Sequence, residues 1–245
     1  MTPRQAQATV TGTFTEGPLR RIRLRAPALV DRLRPGQFVT ADLGDTIRRP
    51  LLPAAIHATG LDLLLPPDHP AAALAPDETI DLLGPLGRPL PRPDSPTQLL
   101  LIADAPHLYT LFPMLDQALA EDGQATLLLL EDDAAPSYPP ALLPPALEFH
   151  RIDASALHDT DPVHPLLMWA DRILAAADPA CYPALAQLVT DVRLAPASDL
   201  AQALLLPTIV CGVGACRGCT VHTRRGYRQT CIDGPFFNLL ELEVL

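Results

Sequence analysis

The chain has 245 residues, a formal net charge of −10, 48% hydrophobic residues and 19% charged ones. That length accommodates one large domain, or two modest ones with a small appendage, and enough apolar material for a sizeable core. The acidic balance argues against a phosphate-backbone partner, and no basic cluster suits an anionic membrane surface, so neither nucleic acid nor membrane is expected.

Proline is frequent, at 29 residues, and aromatic residues make up only 4%. The prolines punctuate apolar, strand-like runs, which is the pattern of a folded chain with stiffened loops. The opening MTPRQAQATVTG has no apolar signal region. The most apolar run, 201–210, is too short to span a bilayer and contains Pro207. A cytoplasmic protein is the expectation.

Residues 8–90 read as all-β. Alternation predicts strands at 8–14 and 19–25, and another over 36–43, entered from a turn at Pro35 and Gly36. Apolar runs at 61–65 and 79–83 add two more, each followed by Pro or Gly. Short strands between turn signals predict a small barrel or sandwich. The proline-rich stretch 89–96 marks a boundary.

Beyond it the pattern changes. The continuous apolar run 98–104 suits a parallel strand covered on both faces. Helical spacing over 108–120 follows, with Gly123 as its stop. Strands are predicted at 125–130, 147–152 and 172–176, and helices at 165–172 and 183–192. Alternating strand and helix predict a doubly wound parallel α/β domain. The expected division is 1–95, 96–203 and 204–245, the last a small module with a strand pair near 220–228.

Four of the five cysteines crowd into that module, at Cys211, Cys216, Cys219 and Cys231. Without a secretory signal, such a cluster reads as metal binding before disulfides. The Cys-x4-Cys-x2-Cys spacing is that of plant-type [2Fe–2S] ligation, in which a short loop supplies three thiolates and a fourth returns from the next turn. Structural zinc is the competing reading, but it prefers paired Cys-x2-Cys knuckles and the chain has one. Gly212, Gly214 and Gly218 would let the loop take positive φ and bring amide N–H groups to the cluster. Arg217, Arg224, Arg225 and Arg228 would offset its negative charge. Cys181 stands apart and is expected as a small buried hydrophobe.

At these residues the chain resembles the electron-transfer subunit of type B dihydroorotate dehydrogenase, a ferredoxin-reductase-like family with a C-terminal [2Fe–2S] module. The resemblance rests on CGVGACRGC (211–219) and CIDGPFF (231–237), supported by PGQFV (35–39), RRP (48–50) and DLLGPLGRPL (81–90). It implies a six-stranded type of β-barrel holding FAD, an NAD(H) site on the α/β domain, and a cluster passing electrons onward. It also implies a partner, an FMN-containing catalytic subunit that oxidises dihydroorotate in pyrimidine biosynthesis.

The chain departs from the family at both nucleotide sites. The flavin motif reads Arg49-Pro50-Leu51-Leu52, without the family's hydroxyl. Arg49 is either a pyrophosphate ligand or an exposed strand-edge arginine. Where a glycine turn should cradle phosphates stand residues 66–73, with no glycine and with Asp68. The glycine turn of the nicotinamide site is replaced by Ile102-Ala103-Asp104-Ala105-Pro106-His107, and a later Cys-Gly-Pro segment by 175–179. Asp104 has a rival reading as a ribose ligand. NAD(H) is therefore not expected, and FAD is open.

The seven histidines show no metal-ligand spacing, and Glu131-Asp132-Asp133 reads as a solvated strand end. Two functions follow: a flavin- and cluster-containing reductase subunit, or a relay or structural subunit that keeps the cluster and has lost NAD(H) and even FAD. The electron-input subunit of another redox complex is a third.

Overall fold

The structure is a computed structural model and describes residues 2–92, 95–131, 138–158 and 163–243. It divides into two compact units. One comprises Met1–Leu90, Leu206–Val221 and Tyr227–Pro235; the other comprises Pro91–Leu205, His222–Gly226 and Phe236–Leu245.

The first unit carries a seven-stranded antiparallel sheet. Its strands are β1 (Arg4–Glu16), β2 (Leu19–Arg25), β3 (Phe38–Asp42), β4 (Arg49–Leu51), β5 (Ala55–Ile56), β6 (Gly60–Leu65) and β7 (Thr79–Leu86), in the order β4-β3-β7-β1-β2-β6-β5. Period-two alternation turns Ile22 and Leu24 of β2 into a core with Ala8, Val10, Leu61, Leu63 and Leu82, and the short helix α1 (Pro27–Val30) adds Leu29 and Val30. A register shift between Val10 and Gly12 gives β1 a bulge. The sheet has seven strands, where the resemblance implied six and the strand patterns gave five. The two that sequence reading passed over, β4 and β5, are three and two residues long, too short to show a period.

The run 61–65 hides a charge. Asp62 is 1% exposed and lies directly across from Arg23 on β2. Its carboxylate accepts hydrogen bonds from Arg23 (2.9 Å) and Arg21 (3.0 Å), and Arg21 also pairs with Glu16 at 2.5 Å. Burial pushes the Asp62 carboxyl up, and the bonds from Arg23, Arg21 and His57 outweigh it and hold the carboxyl below the usual range.

The second unit is built on a mixed sheet. Its parallel strands are β8 (Gln98–Asp104), β9 (Gln124–Glu131), β10 (Glu148–Asp153), β11 (Arg172–Ala176) and β12 (Ala201–Leu204). The chain then forms a hairpin of β13 (Thr220–Thr223) and β14 (Gly226–Gln229), and ends with β15 (Phe236–Asn238) antiparallel to β12. The order β10-β9-β8-β11-β12-β15 reverses between β8 and β11. Residues 125–130 are all buried, as their unbroken apolar run requires.

The predicted helix over 108–120 is a 3-10 turn, Leu108–Leu111, followed by α2 (Phe112–Ala120). Pro113 has no N–H to bond back to Tyr109, so the two segments cannot form one α-helix. The left-handed residue after α2 is Asp122 (φ 58°), not Gly123. Gly123 is needed for close approach instead, because a Cβ there would lie 2.8 Å from the carbonyls of Ala118 and Thr97. Helices α3 (His164–Trp169) and α4 (Tyr182–Val192) follow, the former shorter than predicted because β11 begins at Arg172. Leu167, Leu185, Leu188 and Val189 pack against Leu100, Ile102, Ile173 and Ala175 of the sheet. Among the described residues no helix is long and apolar enough to cross a membrane. Asp132 and Asp133 of the acidic run, and residues 93–94 of the proline-rich boundary, lie outside the described residues.

Candidate iron–sulfur centre

The four clustered cysteines all fall in the first unit. Cys211, Cys216 and Cys219 lie on one loop, and Cys231 lies in the short helix α5 (Thr230–Asp233). The loop winds through left-handed backbone at Gly212 (φ 68°), Gly214 (φ 76°) and Arg217 (φ 56°). Gly218, expected to do the same, keeps an ordinary φ. A Cβ there would meet Val210 Cγ2 at 3.3 Å.

Backbone amides point at sulfur. Val213 N–H and Cys216 N–H reach Cys211 Sγ at 3.5 Å each, and Gly218 N–H reaches Cys216 Sγ at 3.3 Å. Cys219 Sγ and Cys231 Sγ are 3.4 Å apart and buried. That separation is far beyond a disulfide bond, and all five cysteines are free. Cys219 and Cys231 thus form one thiol pair, and Cys211 and Cys216 form a second through the Cys216 N–H on Cys211 Sγ. Among the described residues no three Cys, His, Asp or Glu side chains converge on one point as a single ion would require.

The pairs differ in charge preference. Burial raises Cys211, but the amides of Cys216 and Val213 outweigh it and bring the thiol down to about 6. Burial and the neighbouring Cys219 push Cys231 up to about 12. Arg217, Arg224, Arg225 and Arg228 are exposed, and Arg225 pairs with Glu241 at 2.9 Å.

The loop is pinned to the end of β7. Gly87 N–H donates to the Cys231 carbonyl at 2.9 Å and Arg88 N–H to that of Gly234 at 2.6 Å. Gly87 has φ 77°, and a Cβ on it would lie 2.2 Å from the Gly234 oxygen. Gln37, which is buried, donates to the Gly87 carbonyl at 2.9 Å. Sequence reading missed this latch; its trace was the second glycine of DLLGPLGRPL, Gly87.

At the flavin motif, Arg49 is half-exposed and paired with Asp45 at 2.6 Å, while Leu51 and Leu52 are buried. A cleft of about 420 Å³ is lined by residues 45–50 and 206–209. Arg48 is held by Asp81. In the segment 66–73, Asp68 is exposed and His69 Nδ1 accepts the Ala71 N–H at 3.1 Å, so one amide of this turn is satisfied internally. Burial and the charge of Arg49 lower the His69 imidazole.

In the second unit Asp104 binds His107 and the Asp178 amide. Cys181, expected to be buried, is only half-buried, and burial with Asp178 and Asp104 raises its thiol. The His158 side chain lies outside the described residues.

Residues 207–243 match the iron–sulfur cluster binding domain of dihydroorotate dehydrogenase B. The electron-transfer subunit of dihydroorotate dehydrogenase B (NAD(+)) from Clostridium perfringens is 54% identical over 35 residues, a stretch that spans 14% of this chain and 14% of that protein. A putative counterpart from Thermotoga petrophila is 50% identical over 32 residues, 13% of this chain and 15% of that protein. Among solved structures, an NADH-dependent reduced ferredoxin-NADP oxidoreductase of flavin-based electron bifurcation superposes with a TM-score of 0.77 at 20% identity, covering 96% of this chain and 89% of that one. A cytochrome P450 reductase from Amycolatopsis gives 0.62 at 21% identity, over 79% of this chain and 68% of that one. The fold is therefore ferredoxin-reductase-like, and over residues 207–243 the chain is similar to the electron-transfer subunit of dihydroorotate dehydrogenase B.

Proposed function

We propose that this chain is an iron–sulfur electron-transfer subunit, with Cys211 and Cys216 holding one iron of a [2Fe–2S] cluster and Cys219 and Cys231 the other. The observation that carries the reading is the pairing of thiols beneath sulfur-directed amides, within the segment that matches a cluster-binding domain. The residues fit the group. A two-iron centre needs two thiolates per iron, whereas zinc needs four ligands around one point. The amides would stabilise thiolate charge at Cys211 and Cys216. Gly214 leaves the loop open where a Cβ would meet Gln229 Oε1 at 2.9 Å. When bound, such a cluster supplies one-electron transfer. The protein's share is to hold the thiolates, shield the buried pair from water and tune the potential through N–H···S bonds.

The relatives' names support a partner of the dihydroorotate dehydrogenase kind; that this partner is an FMN-containing catalytic subunit and the setting cytoplasmic is part of the same proposal. Residues 1–95 form the flavin side, their seven strands curling as a barrel. Residues 96–203 form the α/β domain and 204–245 the cluster module. FAD would lie along the cleft of residues 45–50 and 206–209, with Arg49 turning from Asp45 to its pyrophosphate. Co-purification with a flavin-containing dihydroorotate-oxidising subunit tests the assignment. A stable complex that passes electrons from dihydroorotate to this chain supports it. Isolation with a different redox partner, and no association with that subunit, refutes it.

A further inference from the structure

In a parallel α/β sheet the usual dinucleotide site is the crevice at the carboxyl ends of the strands, where strand order reverses. Here that is the gap between the ends of β8 and β11. Binding there relies on unpaired backbone N–H groups that meet a pyrophosphate.

In this chain five of the amides at that crevice, those of His107, Ala177, Asp178, Ala180 and Cys181, are already taken. The Asp104 carboxylate, at the end of β8, accepts the His107 N–H at 3.1 Å and the Asp178 N–H at 2.8 Å, and its Oδ1 lies 2.6 Å from His107 Nδ1. Along 177–181, the loop after β11, the remaining positions are equally committed. Ala177 N–H donates to the Tyr182 hydroxyl at 3.2 Å, Ala180 N–H to Asp178 Oδ1 at 2.8 Å and Cys181 N–H to the Asp178 carbonyl at 2.9 Å. Pro179 has no N–H, and neither has Pro106 in the loop after β8. The Tyr182 hydroxyl donates in turn to the Leu204 carbonyl at 2.7 Å, which ties this loop to β12.

We propose that Asp104 closes the dinucleotide crevice with a carboxylate of its own, so that this chain takes no pyridine nucleotide there. Asp104 stands where an incoming pyrophosphate would need donors, uses two of them, and repels the ligand's charge. Its bonds to the loops after β8 and after β11 hold the crevice shut. This replaces the reading of Asp104 as a ribose ligand: its oxygens face the protein's own amides.

The test uses the full chain. NADH binding is followed by calorimetry, together with amide hydrogen exchange at His107 and Asp178. The native chain is expected to show no saturable binding up to about 1 mM, with both amides protected. Asp104→Gly should speed exchange at both by about tenfold or more and admit NADH with a measurable affinity. Saturable binding by the native chain overturns the proposal. So does an Asp104→Gly chain that exchanges faster yet still excludes NADH. If that variant does not fold, Asp104→Asn, which removes the charge at nearly constant volume, carries the same comparison. Neither readout depends on the cluster or on any electron-transfer partner.

Discussion

Cys219 and Cys231, twelve positions apart in sequence, bring their thiols to 3.4 Å in the interior of the first unit. The Thr230 N–H holds the Cys219 carbonyl at 3.0 Å, so the approach is set by backbone as well as by side chains. Two buried thiols this close gain little from each other as thiols. In the proposed centre they hold one iron between them.

Replacing either by serine should therefore empty the centre. Cys219→Ser and Cys231→Ser are expected to lose nearly all iron and the visible absorbance of the cluster. Cys181→Ser should keep both, because Cys181 lies in the second unit beside Asp178. Iron content and absorbance of the three variants check this.

The latch beneath the cluster loop gives a stability prediction. Gly87→Ala would drive a methyl into the Gly234 carbonyl from a backbone at φ 77°. A cost of about 2–4 kcal/mol is expected. Denaturant unfolding should show the lowered midpoint, together with weakened iron retention, because the Gly87 amide holds the Cys231 carbonyl.

Asp62 predicts a pH effect. Its folded pKa is depressed, so its stabilisation is fully present above the unfolded value of about 3.9 and is lost as pH falls through the folded one. Asp62→Asn should cost about 1–3 kcal/mol near neutrality, since Arg21 and Arg23 lose their shared counter-charge and both retain access to water. The variant should also lose less stability on acidification than the native chain. Unfolding curves between pH 7 and pH 3 measure this, and equal acid slopes would rule out the contribution.

Arg49 and Asp45 bear on the flavin. With Arg49 as the pyrophosphate ligand, Arg49→Ala should weaken FAD binding by about tenfold or more. Asp45→Asn should strengthen it by releasing the guanidinium from its 2.6 Å ion pair. FAD titrations of the two variants should move in opposite directions.

The centre was legible in sequence because its chemistry is local. Three candidate ligands and three glycines lie within nine residues, and the spacing is what suggests the class of ligand set. Strands β8, β9 and β11 were equally plain, since burial on both faces writes an unbroken apolar run, whereas β10 is largely exposed and β12, only four residues long, was not read as a strand. What escaped depends on distant partners. Asp62 looks misplaced in an apolar run until β2 sets Arg23 across from it. Gly87 reads as a turn residue until Gly234 is seen against it. Asp104 carried only a rival reading as a ribose ligand, and the Asp178 amide it accepts from, 74 positions away, could not be seen in the sequence. The helix over 108–120 failed for a local reason that was visible, the proline at 113.

The central claim is tested most directly by metal and sulfide analysis of the native chain prepared without oxygen. The account predicts about two irons and two acid-labile sulfides per chain, and a brown colour that dithionite bleaches. A colourless chain carrying zinc, with no labile sulfide, would contradict it.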